Sequence, residues 1–196
     1  MHWSHQVAER FPDGQLYVNL RGFDPSGVPM TPDEAIRHLL EGLGVLPERI
    51  PASAQAQAGL FRSLLASRRM LIVLDNARDD AQVRPLLPAS LGCMTLVTSR
   101  SQLAGLAATN GAHLLILDVL TRAEARDILA RRLGLERVAA EPAAVAELTE
   151  LCARLPLALS ITAARAAARP GLRLAALASG LRDSQERLDE LETAGN

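Results

Sequence analysis

Apolar positions along this chain follow two rhythms, and the change between them orders the reading. Residues 15–20, Gln15-Leu16-Tyr17-Val18-Asn19-Leu20, form a short run suited to a strand. Residues 70–74, Met70-Leu71-Ile72-Val73-Leu74, are apolar on both faces, as a central parallel strand must be. A second buried strand is predicted over 93–98, and a last one over 113–117. Between them the spacing is helical. Thr31-Pro32-Asp33-Glu34 is a capping box with proline at the first helical position, Ile36, Leu39, Leu40 and Leu43 follow at helical intervals, and Gly44 closes the helix. Leu60, Phe61, Leu64 and Leu65 mark the next helix, and short helices are predicted around 81–87 and after Arg100. The opening residues read as a helix already under way, with Val7, Ala8 and Phe11 on it, stopped by Pro12-Asp13-Gly14.

From Thr121 the texture changes and no further strand is predicted. Thr121-Arg122-Ala123-Glu124 is a second capping box that opens a helix to about Gly134. Pro142 opens another, with Val145, Leu148, Leu151 and Leu155 on one face, which Leu155-Pro156-Leu157 breaks or kinks. An Ala-rich helix then runs to Arg169, and two more short helices are predicted beyond Pro170-Gly171. The expectation is an α/β domain over 1–120, a doubly wound parallel sheet with helices on both faces, followed by a small all-helical subdomain over 121–196.

Composition narrows the chemistry. Of the 196 residues 48% are apolar but only 3% aromatic, so the core is built from Leu, Ala, Val and Ile. A net charge of -1 supplies no basic field for nucleic acid. No apolar run is long enough to span a bilayer, and no signal-peptide pattern opens the chain, so a cytoplasmic location is expected. Cys93 and Cys152 sit in apolar runs and form no CxxC pair. All 21 basic residues are arginine. Without lysine there is neither a Schiff base nor a Walker A lysine.

Three positions stand out. Asp75 follows a buried strand, at the carboxyl edge where open α/β sheets bind ligands. In P-loop NTPases such an aspartate holds magnesium; capping the next helix is an equal alternative. Arg100 ends the neighbouring strand in Thr98-Ser99-Arg100 and faces the same edge, where a guanidinium suits a terminal phosphate. Its plainer reading is a solvated arginine. Pro156 is either an irregularity in an apolar helix or an ordinary helix start. Gly22 and Gly27 have GxxxxG spacing, but Val28-Pro29 follows where Lys and Ser/Thr are required. His2, His5, His38 and His113 share no metal-ligand spacing.

Taken in order, these segments resemble the NB-ARC region of STAND-class P-loop ATPases, and among them the ATPase module of actinobacterial antibiotic-regulatory transcription activators. Phe11-Pro12-Asp13-Gly14-Gln15-Leu16 and Leu20-Arg21-Gly22-Phe23 are similar to that family's second-strand segment. Leu71-Ile72-Val73-Leu74-Asp75-Asn76-Ala77-Arg78 resembles its Walker B strand, Leu96-Val97-Thr98-Ser99-Arg100 its sensor strand, and Cys152-Ala153-Arg154-Leu155-Pro156-Leu157-Ala158-Leu159 its GLPL motif. The resemblance implies an ADP/ATP and Mg2+ site. Asp75 and Asn76 would lie at the nucleotide, Asp75 orienting the magnesium, Arg100 sensing the γ-phosphate and Pro156 packing near the adenine. It also implies an ADP-to-ATP switch read out by attached winged-helix and DNA-binding domains, with no direct nucleic-acid contact from this segment.

Three departures qualify it. The Gly-rich Walker A loop expected ahead of the first helix is not in the sequence, so the chain reads as a fragment with little nucleotide affinity and no bound cofactor of its own. Asn76 replaces a second acid, and Arg154 stands at the GLPL glycine. The competing reading is a non-catalytic oligomerisation or interaction module that has lost its ligand, and self-association fits either one.

Overall fold

The computed structural model describes residues 2–25 and 27–194, with the side chains of 2, 5 and 186–194 outside the description. Two compact units divide it, Met1–Ile116 and Leu117–Asn196.

The first unit holds three parallel strands, β1 (Gln15–Asn19), β2 (Leu71–Ala77) and β3 (Met94–Ser99), in the spatial order β1-β2-β3. Gln15 pairs with Leu71 and Asn19 with Asp75, while Leu71 pairs with Met94 and Leu74 with Val97. All three strands therefore end at one edge. Alternation on β1 sends Leu16 and Val18 to the core and leaves Gln15, Tyr17 and Asn19 exposed. β2 is buried on both faces, as its continuous apolar run requires.

The helices of this unit are α1 (His2–Gln6), α2 (Pro32–Gly42), α3 (Ala54–Leu65), α4 (Asp80–Val83) and α5 (Ala104–Asn110). The capping box at Thr31 and Glu34 is formed on both sides, satisfying two otherwise unpaired N–H groups at the start of α2. Gly44 ends that helix at φ 85°, and Val45 N–H returns to the Leu40 carbonyl. Ile36, Leu39 and Leu40 of α2 meet Phe61 and Leu65 of α3 on Leu16, Val18, Ile72 and Leu74. Each such fully buried side chain contributes about 1.5–3 kcal/mol.

The parallel sheet with helices is as expected. On one face α2 and α3, with Val83 of α4 and Leu106 of α5, share a core, and on the other Val7 and Phe11 of the segment that follows α1 pack on Leu71, Val73 and Leu96. Other expectations are corrected. β2 does not stop at Asp75 but runs on to Ala77. Residues 113–117 form no strand, and Leu115, Ile116 and Leu117 are exposed. A strand needs a neighbour to take its hydrogen bonds, and among the described residues this run has none.

The second unit is all-helical, with α6 (Arg122–Leu133), α7 (Leu135–Ala140), α8 (Pro142–Leu151), α9 (Pro156–Ala167) and α10 (Leu174–Ala194). Leu129, Val138, Val145, Leu148, Leu159 and Leu177 bring all five helices into one core. The short helix α7 was not foreseen. The two short helices expected at the end are one, because Leu174, Leu177, Ala178 and Leu181 keep a single apolar stripe and Gly180 costs only about 1 kcal/mol inside it.

Candidate functional site

The carboxyl edge of the sheet gathers one polar side chain from each strand. In register Asn19 lies opposite Asp75, so Tyr17 sits two residues back on β1, a diagonal neighbour that a long aromatic side chain reaches. Its hydroxyl donates to Asp75 Oδ2 at 3.0 Å. From β3, the Thr98 hydroxyl donates to Asp75 Oδ1 at 2.5 Å and accepts from the Asn76 N–H at 2.9 Å. The Asp75 carboxylate is thus held from both sides.

The backbone there is shaped to present it. The β2–β3 register slips between Leu74 and Ala77, so β2 carries one residue more than its partner, and Asn76 takes the left-handed φ of 58°. A bulge of this kind re-aims side chains at a sheet rim. Asparagine is among the few residues that tolerate the conformation, at a cost of order 1–3 kcal/mol. Beyond the bulge the Ser99 hydroxyl donates to the Ala77 carbonyl at 2.6 Å and re-establishes the pairing.

A loop from β1 closes over this turn. Gly22 N–H donates to the Asn76 carbonyl at 2.7 Å. A Cβ at Gly22 would lie 2.4 Å from Arg78 N and 2.6 Å from Asn76 O, so only glycine allows the approach. The loop brings Phe23 under Arg100, whose guanidinium carbon lies 5.4 Å from the ring centroid, a cation–π distance. Loss of solvation, then the hydrogen bond to Asp75 and its negative charge, raise the Tyr17 phenol above its ordinary pKa. Tyr17 therefore remains a hydrogen-bond donor at neutral pH.

Asp75, Asn76 and Arg100 accordingly share one edge of the first unit. Pro156 belongs to the second. There it is the first residue of α9, after a link in which Ala153 and Arg154 take φ of 47° and 55°. It neither kinks nor breaks a helix: α8 has already ended at Leu151, and proline begins a new one. Arg154 occupies a left-handed position that favours glycine, the residue the GLPL resemblance places there.

Among the described residues no three His, Cys, Asp or Glu side chains cluster to hold a metal. Asp75 is a single carboxylate, which fits Mg2+ held through water together with a phosphate and does not fit an all-protein cage. Two surface clefts, of about 190 Å³ beside Arg122 and Arg126 and about 260 Å³ beside Met30 and Arg78, are lined by none of Asp75, Arg100 and Pro156.

Over 192 residues the chain is 45% identical to the regulatory protein AfsR of Streptomyces coelicolor. The AfsR of Streptomyces griseus matches at 45% over the same length. Each match takes in 98% of this chain and 19% of the relative, so the chain spans about a fifth of the length of these regulators. No family model matches. Among the described residues no helix is long and apolar enough to cross a membrane.

The sequence singles out Asp75 and Arg100 because each stands at the end of a predicted strand. It gave no role to Tyr17 or Phe23. Their partners are set by strand register and loop path, and the only local signal was an aromatic residue on the exposed side of β1.

Proposed function

We propose that this chain is the nucleotide-dependent switch segment of a transcriptional regulator. The observation that carries the proposal is Asp75, held across three parallel strands at the ligand-binding edge of an α/β sheet, with Arg100 leaving the adjacent strand at the same end. Similarity to the AfsR regulators supplies the regulatory context. Asp75 holds Mg2+ through water and Asn76 lines the turn beside it. Arg100 exchanges the Phe23 ring for a terminal phosphate. Bound Mg2+ neutralises phosphate charge and gives the di- and triphosphate forms distinct ligand sets. Winged-helix and DNA-binding domains elsewhere in the regulator read the two states.

The test is a titration of the isotope-labelled chain with ADP and Mg2+, followed residue by residue by NMR, which detects weak binding. Shift changes concentrated at 75–76 and 98–100 are expected, with affinity on the order of millimolar because the charge-assisted contacts of a phosphate loop are missing. Asp75→Ala is expected to remove the Mg2+ dependence. Changes scattered over the surface, or none, would sink the proposal in favour of an interaction module without a ligand. The exposed Leu114, Leu115 and Ile116 favour that second reading.

A further inference from the structure

We infer that Tyr17, together with Thr98, is a positioning residue that fixes the Asp75 carboxylate to receive a hydrated divalent cation. The inference rests on the reading of Asp75 as the cation-bearing group. An aspartate at a strand end turns freely about two side-chain bonds, and each rotamer aims its lone pairs elsewhere. Here both oxygens are engaged, Oδ2 by Tyr17 and Oδ1 by Thr98. The direction of the Thr98 proton follows from its surroundings. Its oxygen already accepts from the Asn76 N–H, so its own hydrogen goes to the carboxylate.

Each oxygen keeps a free lone pair, and the carboxylate cannot turn without breaking a bond to one neighbouring strand. Ordered partners of this kind set ligand orientation in metal sites. Tyr17 is 48% exposed, so its ring contributes little to the core and its hydroxyl is not needed to satisfy a buried group. The half-buried Asp75 could equally be satisfied by water. What the two hydroxyls add over water is a fixed direction.

The experiment uses Mn2+ with ADP as the probe, reading paramagnetic broadening of the Asp75 and Asn76 amide signals in the full chain. Tyr17→Phe is expected to weaken the Mn2+ titration by roughly three- to tenfold, with the thermal unfolding midpoint unchanged. Thr98→Val is expected to weaken it as well, and Thr98→Ser, which keeps the hydroxyl, to restore it. Asp75→Ala is expected to abolish site-specific broadening. If Asp75→Ala abolishes it while Tyr17→Phe titrates like the wild type, Asp75 carries the cation and the positioning role of Tyr17 is wrong. If Asp75→Ala leaves the broadening in place, the reading of Asp75 falls and the inference with it.

Discussion

Arg154 holds a left-handed backbone while its N–H donates to the Thr149 carbonyl and its own carbonyl accepts from Leu120 N–H. For a non-glycine residue that conformation costs about 1–2 kcal/mol, and glycine gives back about 0.5–1 kcal/mol in unfolded-state entropy. Both backbone hydrogen bonds survive replacement, so Arg154→Gly is expected to stabilise the second unit by up to about 1 kcal/mol. An unchanged or lower denaturant midpoint would refute this. Gly22 is the opposite case. Gly22→Ala drives a Cβ into the backbone of Asn76, Ala77 and Arg78 and is expected to cost about 1–3 kcal/mol. Wild-type stability with unmoved amide signals at 76–78 would show that the loop yields freely. These two residues also mark what a sequence discloses at this scale. Asp75 was legible because an acid closes an apolar run. The clamp on it was not, because Tyr17 and Asp75 are 58 positions apart and only register joins them.

At the scale of elements, α10 is anchored from a distance. Glu141 accepts from the N–H groups of Leu174 and Ala175 at 2.9 and 3.1 Å, so its carboxylate caps a helix that begins 33 residues later. Those two backbone hydrogen bonds, aided by the nearby Arg173 and Arg137, lower the Glu141 pKa. With the folded value below the unfolded one, the stabilisation is complete above the ordinary glutamate pKa and is lost as pH falls through the lowered one. Glu141→Gln is therefore expected to unfold at a lower temperature than the wild type near neutrality, with the gap closing in acid. Glu34 and Glu124 also have lowered pKa values, so both proteins weaken in acid and only their difference reports Glu141. A gap that persists unchanged at low pH would contradict the capping role. Elements with local signals were readable: the capping boxes opening α2 and α6, the doubly apolar β2, and proline at the start of α8. Residues 113–117 were misread because their apolar pattern suits a strand, whereas pairing is a property of neighbours. The short α7 escaped because six residues give too little periodicity to separate it from a loop.

Across the whole molecule, two cores of Leu, Val, Ile and Ala are held with scarcely any aromatic residues, and one sheet edge of the first unit joins Tyr17, Asp75 and Thr98 through their side chains. That edge carries an acid and an arginine, but the sequence supplies neither a lysine nor a Gly-rich phosphate cradle. This chain alone is accordingly expected to hydrolyse ATP negligibly; turnover that saturates with ATP and vanishes in Asp75→Ala would overturn that. The sheet has a second consequence. Among the described residues β3 pairs on one side only, leaving its outer edge unpaired, and Met94 on it is exposed. Farther along, Leu114, Leu115, Ile116 and Leu117 are exposed in succession. An unpaired edge and a contiguous apolar run are each a template for association, the first through backbone hydrogen bonds and the second through removal of apolar surface from water. The chain is therefore expected to self-associate, with a sedimentation coefficient that rises with concentration. Replacing Leu115 and Leu117 with glutamate places charge in the run without touching either core and is expected to return the protein to monomer. A wild-type chain that sediments as a single monomeric species at every concentration would show that neither surface is sticky enough to matter.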